Sequence, residues 1–506
     1  MTGNVYEAFR QRFPADRSRP FIESGEGTIH TYRDLEETCG RYARLLRRLG
    51  VGKGDRVAGQ VEKSAEAVFL YLAVLRAGAI YMPLTTAYRK AEMEYFLSDA
   101  EPKVVVGDPG TEGMVGEIAT RTGVPHVLTL DGAGAGSLTD RSLGLDIEFP
   151  TVAAADEDVC AIVYTSGTTG RPKGAMMTHG LTAWNAKTLH RAWGWRPDDV
   201  LLHTNPISHG LFGTTNLVLM NGTGMIFLPK FDAQAVTRLL PRATVFIGVP
   251  TYYVRLLADP GFTAEVCRGM RLFVTGSAPL RAETFHAFRA RTGHTLLDRY
   301  GLTETLLFTS NPLDGERIPD TSGPPLPGVE VRITDAGGDS LPEGEIGMIE
   351  VKMPHMFKGY WGMAEKTAAD FRRDGFFITG DQGRINPNGY VSVVGRAKDV
   401  VISGGFNVYP KEVETCIDAI DGVEESAVIG VPHPDFGEAV AAVVTRRGDG
   451  VTEDGIIGHL KGEIANYKVA KRVFFVDDLP RNALGKVEKK VLRERYQDTF
   501  KTGGDP

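Results

Sequence analysis

The run Tyr164-Thr165-Ser166-Gly167-Thr168-Thr169-Gly170-Arg171-Pro172-Lys173-Gly174 gathers the side chains best suited to gripping an anion. Glycine lets the backbone come close to a ligand, and successive N–H groups in such a turn form a concave nest. The hydroxyls of Thr165, Ser166, Thr168 and Thr169 add donors, and Lys173 adds a point charge matched to phosphate. The apolar run over 159–163 predicts a short buried strand leading into it. A Walker A loop has its lysine followed by serine or threonine at a helix start; here Pro172 precedes Lys173 and Gly174 follows it. Read alone, the string is either a phosphate loop or a polar surface turn.

Such a loop needs rigid elements to hold it, and the flanking periodicity supplies them. Over residues 32–49, Leu35, Cys39, Tyr42, Leu46 and Leu49 share one helical face, with Gly50 as the expected stop. Residues 56–61 and 103–107 are expected as strands and 65–77 as a buried helix. Alternating strands and helices predict βαβ units and a parallel sheet covered on both faces. Ligands collect beyond the carboxyl ends of such strands. A second series is expected downstream, with strands at 224–228 and 243–248 and a helix at 233–240. The runs 271–280 and 297–305 likewise end in glycine and hydroxyl residues, so several strand ends are expected to face the phosphate loop across one cleft.

From Gly323 prolines, glycines and short alternating strands predict a β-rich subdomain. A polar break at Gly395-Arg396-Ala397-Lys398-Asp399 marks a domain boundary. The expected fold class is therefore α/β. Residues 1–395 form a large N-terminal domain of βαβ subdomains with a β-rich subdomain, and 396–506 a small α+β C-terminal domain.

The whole-chain properties exclude several classes. With 506 residues the chain has length for about two to four domains. At 42% apolar and 24% charged it reads as an ordinary globular protein. The net charge of −7 gives no support to nucleic-acid binding. No apolar run reaches membrane-spanning length and the first residues lack a signal-peptide pattern, so a cytoplasmic location is expected. Cys39, Cys160, Cys267 and Cys416 lie far apart, which predicts reduced core thiols and no zinc site.

A resemblance covers nearly the whole chain. It is carried, in order, by the phosphate loop, Arg299-Tyr300-Gly301-Leu302-Thr303-Glu304-Thr305, Thr379-Gly380-Asp381, the stretch 395–414 containing Gly404-Gly405-Phe406-Asn407, and Pro480-Arg481-Asn482-Ala483-Leu484-Gly485-Lys486. Together these resemble the adenylate-forming superfamily of acyl-CoA synthetases, peptide-synthetase adenylation domains and luciferases. Gly248-Val249-Pro250-Thr251-Tyr252-Tyr253, Thr275-Gly276-Ser277-Ala278-Pro279-Leu280 and Phe474-Phe475-Val476-Asp477-Asp478-Leu479-Pro480 look most like malonyl-CoA synthetases and related short acyl-CoA ligases.

The resemblance implies two half-reactions: a carboxylate and ATP give acyl-AMP and pyrophosphate, then the thiol of CoA displaces AMP. Thr165, Ser166, Gly167, Thr168, Thr169, Gly170 and Lys173 would hold the β- and γ-phosphates. Glu304 would ligate Mg²⁺, which prefers carboxylate oxygen, and Thr303 would contact the α-phosphate. Tyr300 would stack on adenine between Arg299 and Gly301, with Gly276, Ser277 and Ala278 lining the other side. Asp381 and Arg396 would hold the ribose hydroxyls, and Lys486 would stabilise charge during adenylation. The C-terminal domain would swing about Lys398, letting Gly404, Gly405 and Phe406 line the pantetheine tunnel. His209, Gly210, Tyr252, Arg255, Gly276, Leu302 and Leu306 would meet the acid, His209 also counting among the catalytic residues. The implied cofactors are ATP, Mg²⁺ and coenzyme A. The implied partners are a small carboxylic acid or its adenylate, with no nucleic acid and no membrane, in a monomer or a homo-oligomer.

One departure bears on the substrate. Malonyl-CoA synthetases carry a gate of the form Pro-Ile-Tyr-His-x-His-Gly, whereas this chain has the shorter Pro206-Ile207-Ser208-His209-Gly210. Serine replaces the aromatic and one histidine is missing. The expected acid is therefore bulkier and more hydrophobic than malonate. The alternatives are a malonyl-CoA synthetase, a ligase that only thioesterifies a preformed acyl-adenylate, and a stand-alone adenylation domain loading a carrier protein. A binding protein without catalysis and a luciferase-like oxygenase complete the set.

Overall fold

The computed structural model describes residues 3–165, 172–278, 280–403, 406–434, 436–482 and 485–500. Ser166, Gly167, Thr168, Thr169, Gly170, Gly404 and Gly405, and the side chains of His209 and Phe406, lie outside that description. The chain forms two compact units, one of residues 1–330 with 352–377 and the other of 331–351 with 378–506.

The first unit contains two sheets. In the six-stranded one the strands run in the order His126–Thr129, Val104–Gly107, Arg56–Gln60, Ile80–Pro83, Val159–Thr165, Lys173–Thr178. Its strands are near-continuous apolar runs because helices cover them. The helix Ala65–Arg76, capped by Ser64, buries almost every side chain, as expected of a helix apolar on all sides. Tyr32–Arg48 is amphipathic instead, starting at a Thr31/Asp34 capping box and burying Leu35, Cys39, Tyr42 and Leu46. Leu49 is half-buried at its C-cap, and Gly50 leaves the helix with φ +81°. Cys39, Cys160 and Cys267 are buried free thiols, whereas Cys416 is only half-buried.

The anion-binding string differs from the expected parallel setting. Val159–Thr165 and Lys173–Thr178 pair antiparallel, with Thr165 opposite Lys173, so the strands on either side of the string form a hairpin at the sheet edge. The intervening segment is too short for the crossover that a parallel connection requires.

The eight-stranded sheet runs in the order Leu306–Ser310, Leu297–Leu302, Leu272–Gly276, Val245–Ile247, Val200–His203, Gly224–Phe227, Pro20–Ser24, Ile29–Thr31. Val245–Ile247, Leu272–Gly276 and Leu297–Leu302 are parallel neighbours, so their carboxyl ends lie side by side as expected. Phe246, Phe273, Phe285 and Phe288 fill the core beneath them.

The second unit has a four-stranded sheet in the order Glu330–Thr334, Gly347–Lys352, Phe377–Ile385, Val391–Arg396. Its other sheet is built on the long antiparallel pair Val423–His433 and Gly437–Arg446, with Arg472–Phe475 parallel to the latter. Among the described residues no helix is long and apolar enough to cross a membrane.

His179 opens the helix His179–Ala192 and is fully buried. Its Nδ1 accepts the Val5 N–H at 3.1 Å, and burial, helped by Lys53, pulls the ring down to about 4. The unfolded chain takes up this proton near pH 6.5. The neutral ring's contribution is thus complete above that pH and is lost as pH falls toward about 4. The expected outcome is a larger fall in thermal midpoint between pH 7 and pH 5 for the native chain than for His179→Gln. Equal falls in the two proteins would refute this assignment.

Candidate active site

The hairpin delivers Lys173 to a built environment. Tyr95 donates its hydroxyl to the Pro172 carbonyl at 2.8 Å, fixing the returning end of the loop. Residues 358–361 run along the outer strand: Met176 N–H bonds Gly359 O, Lys358 N–H bonds Met176 O, and Trp361 N–H bonds Gly174 O. This edge pairing places Tyr360 beside Lys173. The Lys173 ammonium lies 4.4 Å from the Tyr360 ring centroid and 4.0 Å from Asp370 Oδ2.

Tyr360 reaches the other way with its hydroxyl, donating to Glu304 Oε1 at 2.9 Å. Burial first, then the Glu304 carboxylate, pushes the phenol's pKa up, so it stays a donor. Glu304 is half-buried in the turn between Leu297–Leu302 and Leu306–Ser310. Thr305 is buried there and accepts the Leu302 N–H at 3.2 Å, while Leu306 adopts φ +53°. A leucine in that conformation is strained and marks a turn whose geometry is imposed by its surroundings.

The neighbouring strand end is equally constrained. Ser277 has φ +69°, and a Cβ on Gly276 would lie 2.6 Å from the Arg299 carbonyl oxygen, so only glycine fits. Arg299 donates to Ser277 Oγ at 3.3 Å, and its Nε is buried with no partner among the described residues. Tyr300 is half-buried, edge-on to Phe308 with centroids 4.8 Å apart. Ala278 and Ser277 are exposed, and Thr303 and Gly301 are half-exposed.

The segment expected as the gate forms a single helical turn, Ile207–Gly210, continued by a π-helical turn over Leu211–Thr215 that sequence periodicity did not reveal. Tyr252 stacks face to face on Phe231, with centroids 4.0 Å apart and planes 8° from parallel. Leu302 and Leu306 are half-buried. Arg255 is exposed on the helix Pro250–Ala258.

In the second unit Asp381 and Arg396 are opposite one another in the antiparallel pair Phe377–Ile385 and Val391–Arg396. Arg396 Nε lies 2.8 Å from Asp381 Oδ1, and its Nη1 donates to Thr379 O at 3.2 Å. Asp381 is buried, so its carboxylate is held in one orientation. Lys398 follows in a short 3₁₀ turn, where burial pulls its ammonium down. Lys486 is exposed, and the Asn482 side chain accepts its backbone N–H at 3.1 Å.

Among the described residues no cluster of His, Cys, Asp or Glu is arranged to hold a metal alone. Magnesium sites commonly take only one or two protein carboxylates, with phosphates and water completing the shell. Glu304, half-exposed with one oxygen tied to Tyr360, fits that share.

The structure thus joins Lys173 to Glu304 through Tyr360, Arg299 to Ser277, and Asp381 to Arg396. Sequence reasoning missed Tyr360 and Asp370, because Met356-Phe357-Lys358-Gly359-Tyr360-Trp361 looks like plain core. The signal available was Gly359: a glycine, φ +114°, before an aromatic doublet suggests an edge turn.

The AMP-binding enzyme family matches residues 8–361, and the AMP-binding enzyme C-terminal domain matches 412–486. The chain is similar to a malonate–CoA ligase of Arabidopsis thaliana, at 32% identity over 98% of this chain and 90% of the relative. It is also similar to a long-chain-fatty-acid–CoA ligase of Mycobacterium tuberculosis, at 34% over 98% and 99%. The crystal structure of ATP-bound MatB from Rhodopseudomonas palustris superimposes with a TM-score of 0.97 at 52% identity, covering 99% of this chain and all of that one.

Removing only the Tyr360 hydroxyl tests the link. Tyr360→Phe keeps the ring beside Lys173 and frees the Glu304 carboxylate, at the scale of one charge-assisted hydrogen bond, about 1.5–3 kcal/mol. Calorimetric affinity for Mg²⁺-ATP should fall by about tenfold while the thermal midpoint stays within a few degrees. Unchanged affinity would show that the hydrogen bond positions nothing.

Proposed function

The chain belongs to the AMP-binding enzyme family and is an AMP-forming acyl-CoA ligase, and from that premise we propose that its acid is bulkier and more hydrophobic than malonate. One observation carries this: Arg255, the arginine best placed in sequence to pair a second carboxylate, is exposed, while Tyr252, Leu302 and Leu306 supply apolar surface. The short gate, with Ser208 in place of an aromatic, leaves more room on the same side. Malonate is the second reading, favoured by the name of the Arabidopsis relative.

The roles follow from the geometry and the family pattern. In the first step a carboxylate oxygen bonds to the α-phosphorus of ATP as the bond to pyrophosphate breaks. Two anions meet, so charge neutralisation dominates the barrier. Lys173 and the loop Thr165–Gly170 would neutralise the outer phosphates, and Thr303 would donate to the α-phosphate. Glu304 would hold Mg²⁺, which when bound withdraws charge from the phosphate oxygens. Tyr300, with Gly276, Ser277 and Ala278, would take the adenine. Asp381 suits a ribose diol, a buried carboxylate able to accept two hydroxyl hydrogen bonds, with Arg396 holding it in place. Lys486 would stabilise charge on the adenylating oxygens.

In the second step the CoA sulfur bonds to the acyl carbonyl carbon, the mixed-anhydride bond to AMP breaks, and the thiol proton leaves to solvent or base. Lys398 would serve as the hinge, and Gly404, Gly405 and Phe406 as the tunnel wall. His209 and Gly210, on the gate, would border the acid.

Two assays test this. A panel of acids from malonate to bulky aromatic ones, with ATP, Mg²⁺ and CoA, should give pyrophosphate and thioester best with the bulky members; exclusive malonyl-CoA formation would reverse the assignment. Lys486→Ala should slow pyrophosphate release by about a hundredfold while leaving thioester formation from a synthetic acyl-adenylate within a few-fold. Equal loss of both steps would remove Lys486 from the adenylation role.

A further inference from the structure

Lys63 is a nearly fully buried lysine that none of the roles above uses. It follows the strand Arg56–Gln60 of the six-stranded sheet, yet its ammonium makes its contacts on the eight-stranded one. Its Nζ lies 2.8 Å from His203 Nδ1 and donates to His203 O at 3.0 Å. His203 ends the strand Val200–His203, immediately before the gate. On the far side of the imidazole, Nε2 lies 2.8 Å from Thr214 Oγ1, and that hydroxyl donates to the Gly210 carbonyl at 2.5 Å.

The directions of these bonds are mutually determined. The Thr214 proton is committed to Gly210, so its oxygen accepts from His203 Nε2–H. That fixes the tautomer, leaving Nδ1 as an acceptor for a Lys63 N–H. The line Lys63 to His203 to Thr214 to Gly210 is therefore one continuous set of donors ending on the gate backbone. Packing tightens it further: a Cβ on Gly210 would lie 3.0 Å from imidazole Cε1 and Nε2. Phe227 closes the other flank, its ring centroid 4.3 Å from Lys63 Nζ and 5.0 Å from the His203 ring. His203 and Thr214 are also buried. Burial lowers the proton affinity of both Lys63 and His203, and a neutral amine still donates, so the line needs no buried charge. Thr214 itself sits in the π-helical turn, a distortion frequent at functional sites.

We propose that Lys63 is a positioning residue for the acid: through His203 and Thr214 it fixes the Gly210 carbonyl, and with it the turn Ile207–Gly210 that borders the acid. This rests on the reading of that turn as the acid's gate. A lysine that merely bridged two sheets would affect stability alone. A gate-positioning lysine acts on acid binding and acid choice.

Steady-state kinetics of the full-length enzyme, with the acid the native protein uses best, separates these. Lys63→Met and Thr214→Val should each raise KM for the acid by about tenfold and alter the kcat/KM ratio between the smallest and bulkiest accepted acids, with KM for ATP within about twofold. Thr214→Ser, which restores the hydroxyl, should recover native values. If Lys63→Met does not fold, Thr214→Val decides alone, since it removes one hydroxyl at constant shape. Unchanged acid KM and selectivity in folded Thr214→Val, or an equal rise in KM for ATP, would overturn the proposal. The native enzyme's ranking of acids judges the bulky-acid assignment, whereas the variant-to-native ratios judge Lys63 whichever acid ranks first.

Discussion

A site that must present both an ammonium and a carboxylate to one ligand faces a simple electrostatic problem: left alone, the two charges pair with each other. In the proposed ATP site the solution is Tyr360. Its π face takes the Lys173 ammonium and its hydroxyl takes the Glu304 carboxylate, so each charge is satisfied by a neutral group that can yield it. Asp370 shares Lys173 at a distance that is electrostatic and not a tight hydrogen bond. Everything upstream serves that arrangement. The hairpin aims Lys173, the added edge of residues 358–361 aims Tyr360, and the strained Leu306 turn aims Glu304.

Much of this was legible in the sequence because it is written in local chemistry. The loop's glycines and hydroxyls, the apolar strands before it and the ordered motifs through Lys486 all announce themselves without tertiary information. The buried helix Ala65–Arg76 and the parallel trio ending near Gly248, Gly276 and Leu302 follow from periodicity alone. What stayed hidden depends on neighbours distant in the chain. Tyr360 is an ordinary core aromatic until strand pairing sets it beside Lys173, far away in sequence. Lys63 looks like a surface lysine before a helix cap until His203 is brought over it. The hairpin is hidden for a related reason: a strand followed by a polar turn looks the same whether the next strand returns or crosses over.

The gate illustrates how a local departure acquires meaning from its support. Shortened as it is, the turn Ile207–Gly210 is held through its backbone, Gly210 N–H bonding Pro206 O and Gly210 O accepting from Thr214. Backbone anchoring of this kind separates where a segment sits from what it displays. In the proposed reading, Ser208 can therefore be exchanged while the framework stays in place.

The Asp381–Arg396 pair carries a consequence for how the sequence can change. The two residues meet only because of their register, and that register includes a bulge between Gln382 and Gly383. In an antiparallel pair, a one-residue slip turns a side chain to the opposite face. The connection over residues 386–390, shaped by Gly389 at φ +78° and by the side chains of Asn386 and Asn388, is thus also constrained in length. A single insertion or deletion there, harmless to the stability of most surface turns, would either erase the bulge or set Asp381 opposite Gly395. Length polymorphism among relatives should accordingly avoid this short, exposed and otherwise unremarkable turn.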